Sequence, residues 1–149
     1  MTKTLLRLTA ALLSLTACST ASISATPLKG QDAKQAQADR KRCDEWAKKT
    51  ASVRAGFATC MIAAGYEAPP EVGSTSQSVR LAGTSTTEPS RVLLDVLQCD
   101  GDSEREATRN LGMITSWFRE TWGWKFNRGT RQQLFIDCLK PRGYEIGKR

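Results

Sequence analysis

The sequence predicts an all-α protein: two disulfide-stapled helical hairpins joined by a linker rich in Pro, Gly, Ser and Thr. Three observations carry that expectation. Helix formers and helical spacing of apolar side chains dominate two long stretches. An internal repeat recurs with a pair of cysteines in each copy. Between the copies the composition shifts abruptly toward turn-forming residues. At 149 residues, 40% hydrophobic and 25% charged, the chain has the composition of a folding domain rather than of a disordered segment. It contains no His, which excludes His-based triads, His-ligated metals and an imidazole switch.

Residues 1–17 carry Lys3 and Arg7, no acid, and an apolar run from Leu8 to Ala17, the pattern of a secretory signal peptide. That run is about ten residues, well short of the roughly 20 that cross a bilayer as a helix. Residues 18–30 are small, polar and broken by Pro27 and Gly30, which suits a flexible tether. The first hairpin spans 31–67. Its first helix runs from Asp32 to about Lys49, with Cys43, Trp46 and Ala47 on one stripe, and its second from Ser52 to Ala64, with the chain reversing near Lys49 to Ser52. Residues 68–89 hold three Pro and two Gly and form the linker, which either contains a short hairpin around Ser78 to Leu81 or is mobile. The second helical unit, 90–149, opens with Arg91 to Gln98, capped by Ser90, with Val92, Leu93, Val96 and Leu97 on one face. Ser103 and Glu106 then make a capping box that starts a separate helix reaching about Glu120. A last helix, capped by Thr130, stops near Leu139 because Pro141 cannot continue it.

The repeat aligns residues 52–67 (SVRAGFATCMIAAGYE) with residues 130–145 (TRQQLFIDCLKPRGYE) without a gap. Five identities result: Phe57/Phe135, Cys60/Cys138, Gly65/Gly143, Tyr66/Tyr144 and Glu67/Glu145. Upstream, each copy has a second cysteine followed by an acid, Cys43-Asp44 and Cys99-Asp100. Phe and Cys three apart share a helix face, the Gly ends the helix in a left-handed turn, and the Tyr folds back after the stop. Four cysteines in an exported chain read as two disulfides with three possible connectivities. Zinc is the competing use, but it favours close C-x2–4-C pairs, and no two of these cysteines lie nearer than seventeen positions. The repeat selects Cys43 with Cys60 and Cys99 with Cys138, one bridge per half. The second pair encloses thirty-eight residues against sixteen in the first.

Leu15-Thr16-Ala17-Cys18 resembles the lipobox of bacterial lipoproteins, in which small residues precede a cysteine that is acylated before cleavage. The resemblance implies that Cys18 becomes the lipidated mature N-terminus. Two or three acyl chains hold a protein on a bilayer almost irreversibly, and the folded part then need not touch lipid. Ser19, where Asp would signal inner-membrane retention, implies delivery to the outer membrane, facing the periplasm. The lipobox followed by F-x2-C-[ML]-x3-G-Y units resembles a class of small, mostly uncharacterised helical lipoproteins of Gram-negative bacteria. It implies location and helical character and brings no activity.

The net charge of +7 falls to about +5 once Lys3 and Arg7 are removed with the signal peptide. In an exported chain the counter-charges are lipid headgroups or other envelope polymers, so nucleic acid is not expected as a partner. The stretch from Trp117 to Phe126 holds five aromatics in ten residues, with basic neighbours. Rings flanked by cations suit an interface, and Trp122, Trp124, Lys125, Arg128 and Arg131 are the candidate binding residues; core packing is the competing use of the rings. The run from Asp100 to Glu104 (DGDSE) resembles part of a calcium loop but lacks the distal bidentate Glu, and acids ahead of a helix are already explained by its dipole. No cofactor or metal is expected, and no catalytic residue is assigned. The reading is a lipid-anchored periplasmic binding protein. The alternatives are a peptidoglycan-active enzyme using Glu120, an inhibitor of one, or a phage or plasmid exclusion factor.

Overall fold

The computed structural model describes residues 23–28, 30–73, 75–83, 87–109 and 128–147. Asp32 lies in extended backbone and its carboxylate accepts the amide of Gln35, which starts α1, Ala33–Ala47. Ser52 does the same for Ala55 at the head of α2, Val53–Ala63. Between them the chain reverses, and Cys43 and Cys60 are bridged with their Cα atoms 5.4 Å apart. Gly56 makes the close approach possible: a Cβ there would come within 3.2 Å of the Ala47 Cα. Gly65 then takes φ +89 and ends the helix, as expected for the repeat.

Four short strands alter the all-α expectation. Thr26–Pro27 (β1) pairs antiparallel with Tyr66–Glu67 (β2), and Val79–Leu81 (β3) pairs antiparallel with Tyr144–Ile146 (β4). The first of these pairs draws residues 23–28, expected in a flexible tether, onto the body, where Ile23 is buried. The second pair draws in the expected linker: Ala68 and Val79 are buried and bridge each other, and Pro70 is buried too. The expected local hairpin at Ser78 to Leu81 is instead one strand of a pair whose partner lies over sixty residues away in sequence.

Where the sequence predicts one helix from Arg91 to Gln98 and a separate one from Ser103, residues 89–109 form one element. α3, Pro89–Arg109, runs straight through Asp100 and Gly101. Pro89 occupies the first helical position, and the Glu88 carbonyl accepts the amides of Arg91 and Val92, so Ser90 lies inside the helix and does not cap it. The Ser103 box does not open a new helix either: Ser103 is buried and its hydroxyl donates back to the Asp100 carbonyl at 2.8 Å. Val92, Val96, Cys99, Ser103 and Ala107 form the inward stripe, while Leu97, expected inward, is 48% exposed. α4, Arg128–Leu139, already contains Thr130 within its first turn. It ends at Leu139, a 3-10 turn takes Lys140–Arg142 through Pro141, and Gly143 repeats the φ of +89. Cys99 and Cys138 are bridged with Cα atoms 5.7 Å apart.

Both disulfides join the pairs that the repeat selects, and among the described residues each half has the order strand, helix, helix, strand: β1-α1-α2-β2, then β3-α3-α4-β4. The halves share apolar interior. One buried cluster joins Ile62 and Ala63 of α2 to Val92 and Val96 of α3 and to Phe135 and Leu139 of α4. A second, with Ile23, Cys43, Phe57 and Met61, belongs to the first half.

Candidate functional site

Of the sequence-predicted binding residues, Arg128 and Arg131 lie among the described residues. Trp122, Trp124 and Lys125 lie outside the described residues, as do Glu120 and Cys18. Arg128 is exposed at the head of α4. Arg131, one turn later, is turned inward: its side chain is 22% exposed and its guanidinium lies 3.7 Å from a Glu104 carboxylate oxygen of α3. Among the described residues no cluster of His, Cys, Asp and Glu has the make-up of a metal site. The Asp100 to Glu104 run is helical, with Asp102 held by Arg105, so it does not form a loop around a cation.

What the structure brings together is a pair of matching tyrosine–aspartate contacts, one in each half. Helical spacing puts Asp39 one turn before Cys43, and Asp95 one turn before Cys99. The left-handed turn at each Gly swings the following Tyr back over that helix. Tyr66 then donates to Asp39 at 3.1 Å, and Tyr144 to Asp95 at 3.0 Å. Asp39 also accepts from Gln35 at 3.1 Å and Arg42 at 2.9 Å. Asp95 also accepts from Arg142 at 2.8 Å. Burial, reinforced by the neighbouring carboxylate, pushes both phenols above the ordinary tyrosine value. They are fixed as donors at neutral pH.

Sequence reasoning missed these aspartates, although the signal was there. Extended four residues upstream, the repeat frame becomes D-x3-C-D in both copies, Asp39 to Asp44 and Asp95 to Asp100. Each contact borders a cleft. The larger, about 460 Å³, lies between Gln31, Gln35, Asp39 and Arg42 on one side and Ala64 and Glu88 on the other. The smaller, about 260 Å³, is lined by Arg91, Asp95, Arg142 and Tyr144. Thr87 lies on the wall of both. The Gln31 side-chain oxygen is buried without a hydrogen-bond partner among the described residues. Such a setting can hold polar groups by hydrogen bonding, and the Asp39 and Asp95 carboxylates are already engaged by fixed donors.

Comparison with known protein families, with curated proteins and with solved structures finds no match.

Proposed function

We propose that this chain is a lipid-anchored, periplasm-facing protein of the outer membrane that binds another envelope protein or polymer and performs no catalysis. Residues 1–17 are its signal peptide and Cys18 carries the lipid. Its folded part is two related helical hairpins, each closed by its own disulfide. The observation that carries the reading is the division of the five cysteines: one ends a run, Leu15 to Cys18, that resembles a lipobox, and the other four form two bridges, each within one copy of the repeat. Disulfides persist in oxidising compartments, which agrees with export. The non-catalytic part is supported by Asp39 and Asp95, whose carboxylates are taken up by Tyr and Arg donors within the fold.

The contact surface of this reading is the basic, aromatic C-terminal stretch with Trp122, Trp124, Lys125 and Arg128. Arg131 serves α3–α4 packing instead. Two experiments test the reading. Labelling cells with an alkyne analogue of palmitate should mark the wild-type chain and leave Cys18→Ser unmarked. In-cell crosslinking should capture a partner that is lost in Trp122→Ala/Trp124→Ala while the circular dichroism spectrum stays the same. An unlabelled wild-type chain contradicts the anchor, and identical crosslinks contradict the surface.

A further inference from the structure

Very little chain separates the anchor from the folded body. Ile23 is 6% exposed and belongs to the same buried cluster as Ala47 and Phe57. Only four residues, Ser19 to Ser22, therefore lie between Cys18 and the first buried side chain among the described residues. Five fully extended residue steps reach at most about 18 Å. So short a leash keeps the body close to the lipidated cysteine, and what matters is which end of it the leash leaves from.

The strand register answers that. β1 pairs Pro27 with Tyr66 and Thr26 with Glu67. Carried on, this register sets Ile23 beside Pro70, next to Glu71. The Glu71 carboxylate holds Arg54, in the first turn of α2, at 2.7 Å. Residues 66–71 thus run back along α2 from its C-terminal end to its start, and β1 lies beside them in the opposite direction. The chain leaves the body where α1 passes into α2. That turn presents Lys48 and Lys49, both exposed and in no ion pair among the described residues, then Ala51 and Ser52, and then Val53 at 41% exposure. No acid lies between residues 48 and 53.

We propose that this turn, Lys48 to Val53, rests on the anionic phospholipid headgroups of the leaflet that holds the Cys18 acyl chains. The inference depends on the anchoring reading above. The two ammonium groups meet lipid phosphate and Val53 enters the apolar boundary beneath it. Each lysine at such a surface favours the bound state about fivefold, and the leash keeps the turn within reach.

Lysine acetylation of the full lipidated chain, read by mass spectrometry, tests this. The chain is reconstituted in vesicles of phosphatidylethanolamine with phosphatidylglycerol, and separately in phosphatidylcholine alone. In the anionic vesicles Lys48 and Lys49 should react at least about fivefold more slowly than exposed Lys34 and Lys140. The protection should weaken in phosphatidylcholine, and also when about twenty Gly/Ser residues are inserted between Ser22 and Ile23. Equal rates at all four lysines, with acyl mass present on the Cys18 peptide, overturn the docking and leave the anchor standing. A Cys18 peptide without acyl mass overturns both.

Discussion

Asp39 is a buried carboxylate with three donors on it, and its partner Tyr66 is 1% exposed. Asp39→Ala strands that phenol without an acceptor in the interior, which costs more than the net value of one hydrogen bond. Urea unfolding should show a loss of about 2–3 kcal/mol. Asp95→Ala should lose less, about 1–2 kcal/mol, because the Asp95 side chain is 18% exposed and water replaces part of what is removed. Equal losses would mean that burial is not what separates the two copies. Tyr144 adds a pH dependence. Its folded-state pKa is raised by burial and by Asp95, so the fold favours the protonated phenol. The contribution is complete below the unfolded value near 10 and is lost as pH rises above it. Between pH 10 and 12, Tyr144→Phe should flatten the fall in stability by up to about 1.4 kcal/mol per pH unit. An unchanged slope would contradict that.

Among the elements, α3 tests how far local signals can be trusted. Ser103 and Glu106 satisfy the spacing of a capping box, and Asp100-Gly101 resembles a break, yet the helix is continuous from Pro89 to Arg109. The reason is tertiary. Ser103 falls on the inward stripe with Val96, Cys99 and Ala107, four residues past the disulfide, as Ala47 falls four past Cys43 in α1. A small side chain is needed at that contact, so Ser103 serves packing. Gly101, in mid-helix, has nothing within 4 Å of where a Cβ would stand. Gly101→Ala should therefore raise stability by about 0.5–1 kcal/mol through helix propensity alone. Were the helix to end at Gly101 in a left-handed turn, the same change would be destabilising, and thermal unfolding distinguishes the two. Helices α1 and α2, the stops at Gly65 and Gly143 and the cysteine pairs were legible in the sequence because caps, glycines and helical spacing are local. The strands were not. Two or three residues carry no usable period, and β3 is stabilised by a partner 63 to 67 positions away in sequence, which no local pattern encodes. The Tyr–Asp contacts stand between these cases: each aspartate recurs with the repeat, four residues before its first cysteine, but its tyrosine partner is distant in sequence.

For the molecule as a whole, the repeat suggests two modules, whereas the packing joins them. Ile62 and Ala63 sit two and three residues past Cys60 in the first half, and they share a buried cluster with Val92, Val96 and Phe135 of the second. Neither half keeps that surface dry alone, so the two should unfold as one unit. The disulfides make this measurable, since each lies wholly within one half. In the chain-entropy account, the Cys43–Cys60 bridge restrains the unfolded chain by about 3 kcal/mol and Cys99–Cys138 by about 4 kcal/mol. Replacing Cys43 and Cys60 by Ala removes the first restraint and leaves every contact of the second half in place. If the shared core couples the halves, the slowest-exchanging amides of α3 and α4, around Val96 and Phe135, lose the same free energy as those of α2. Their hydrogen exchange should then speed up about 100-fold. Acceleration confined to residues 23–71 would show instead that the first half opens alone, and that the cluster between the halves is a docking contact rather than a common core.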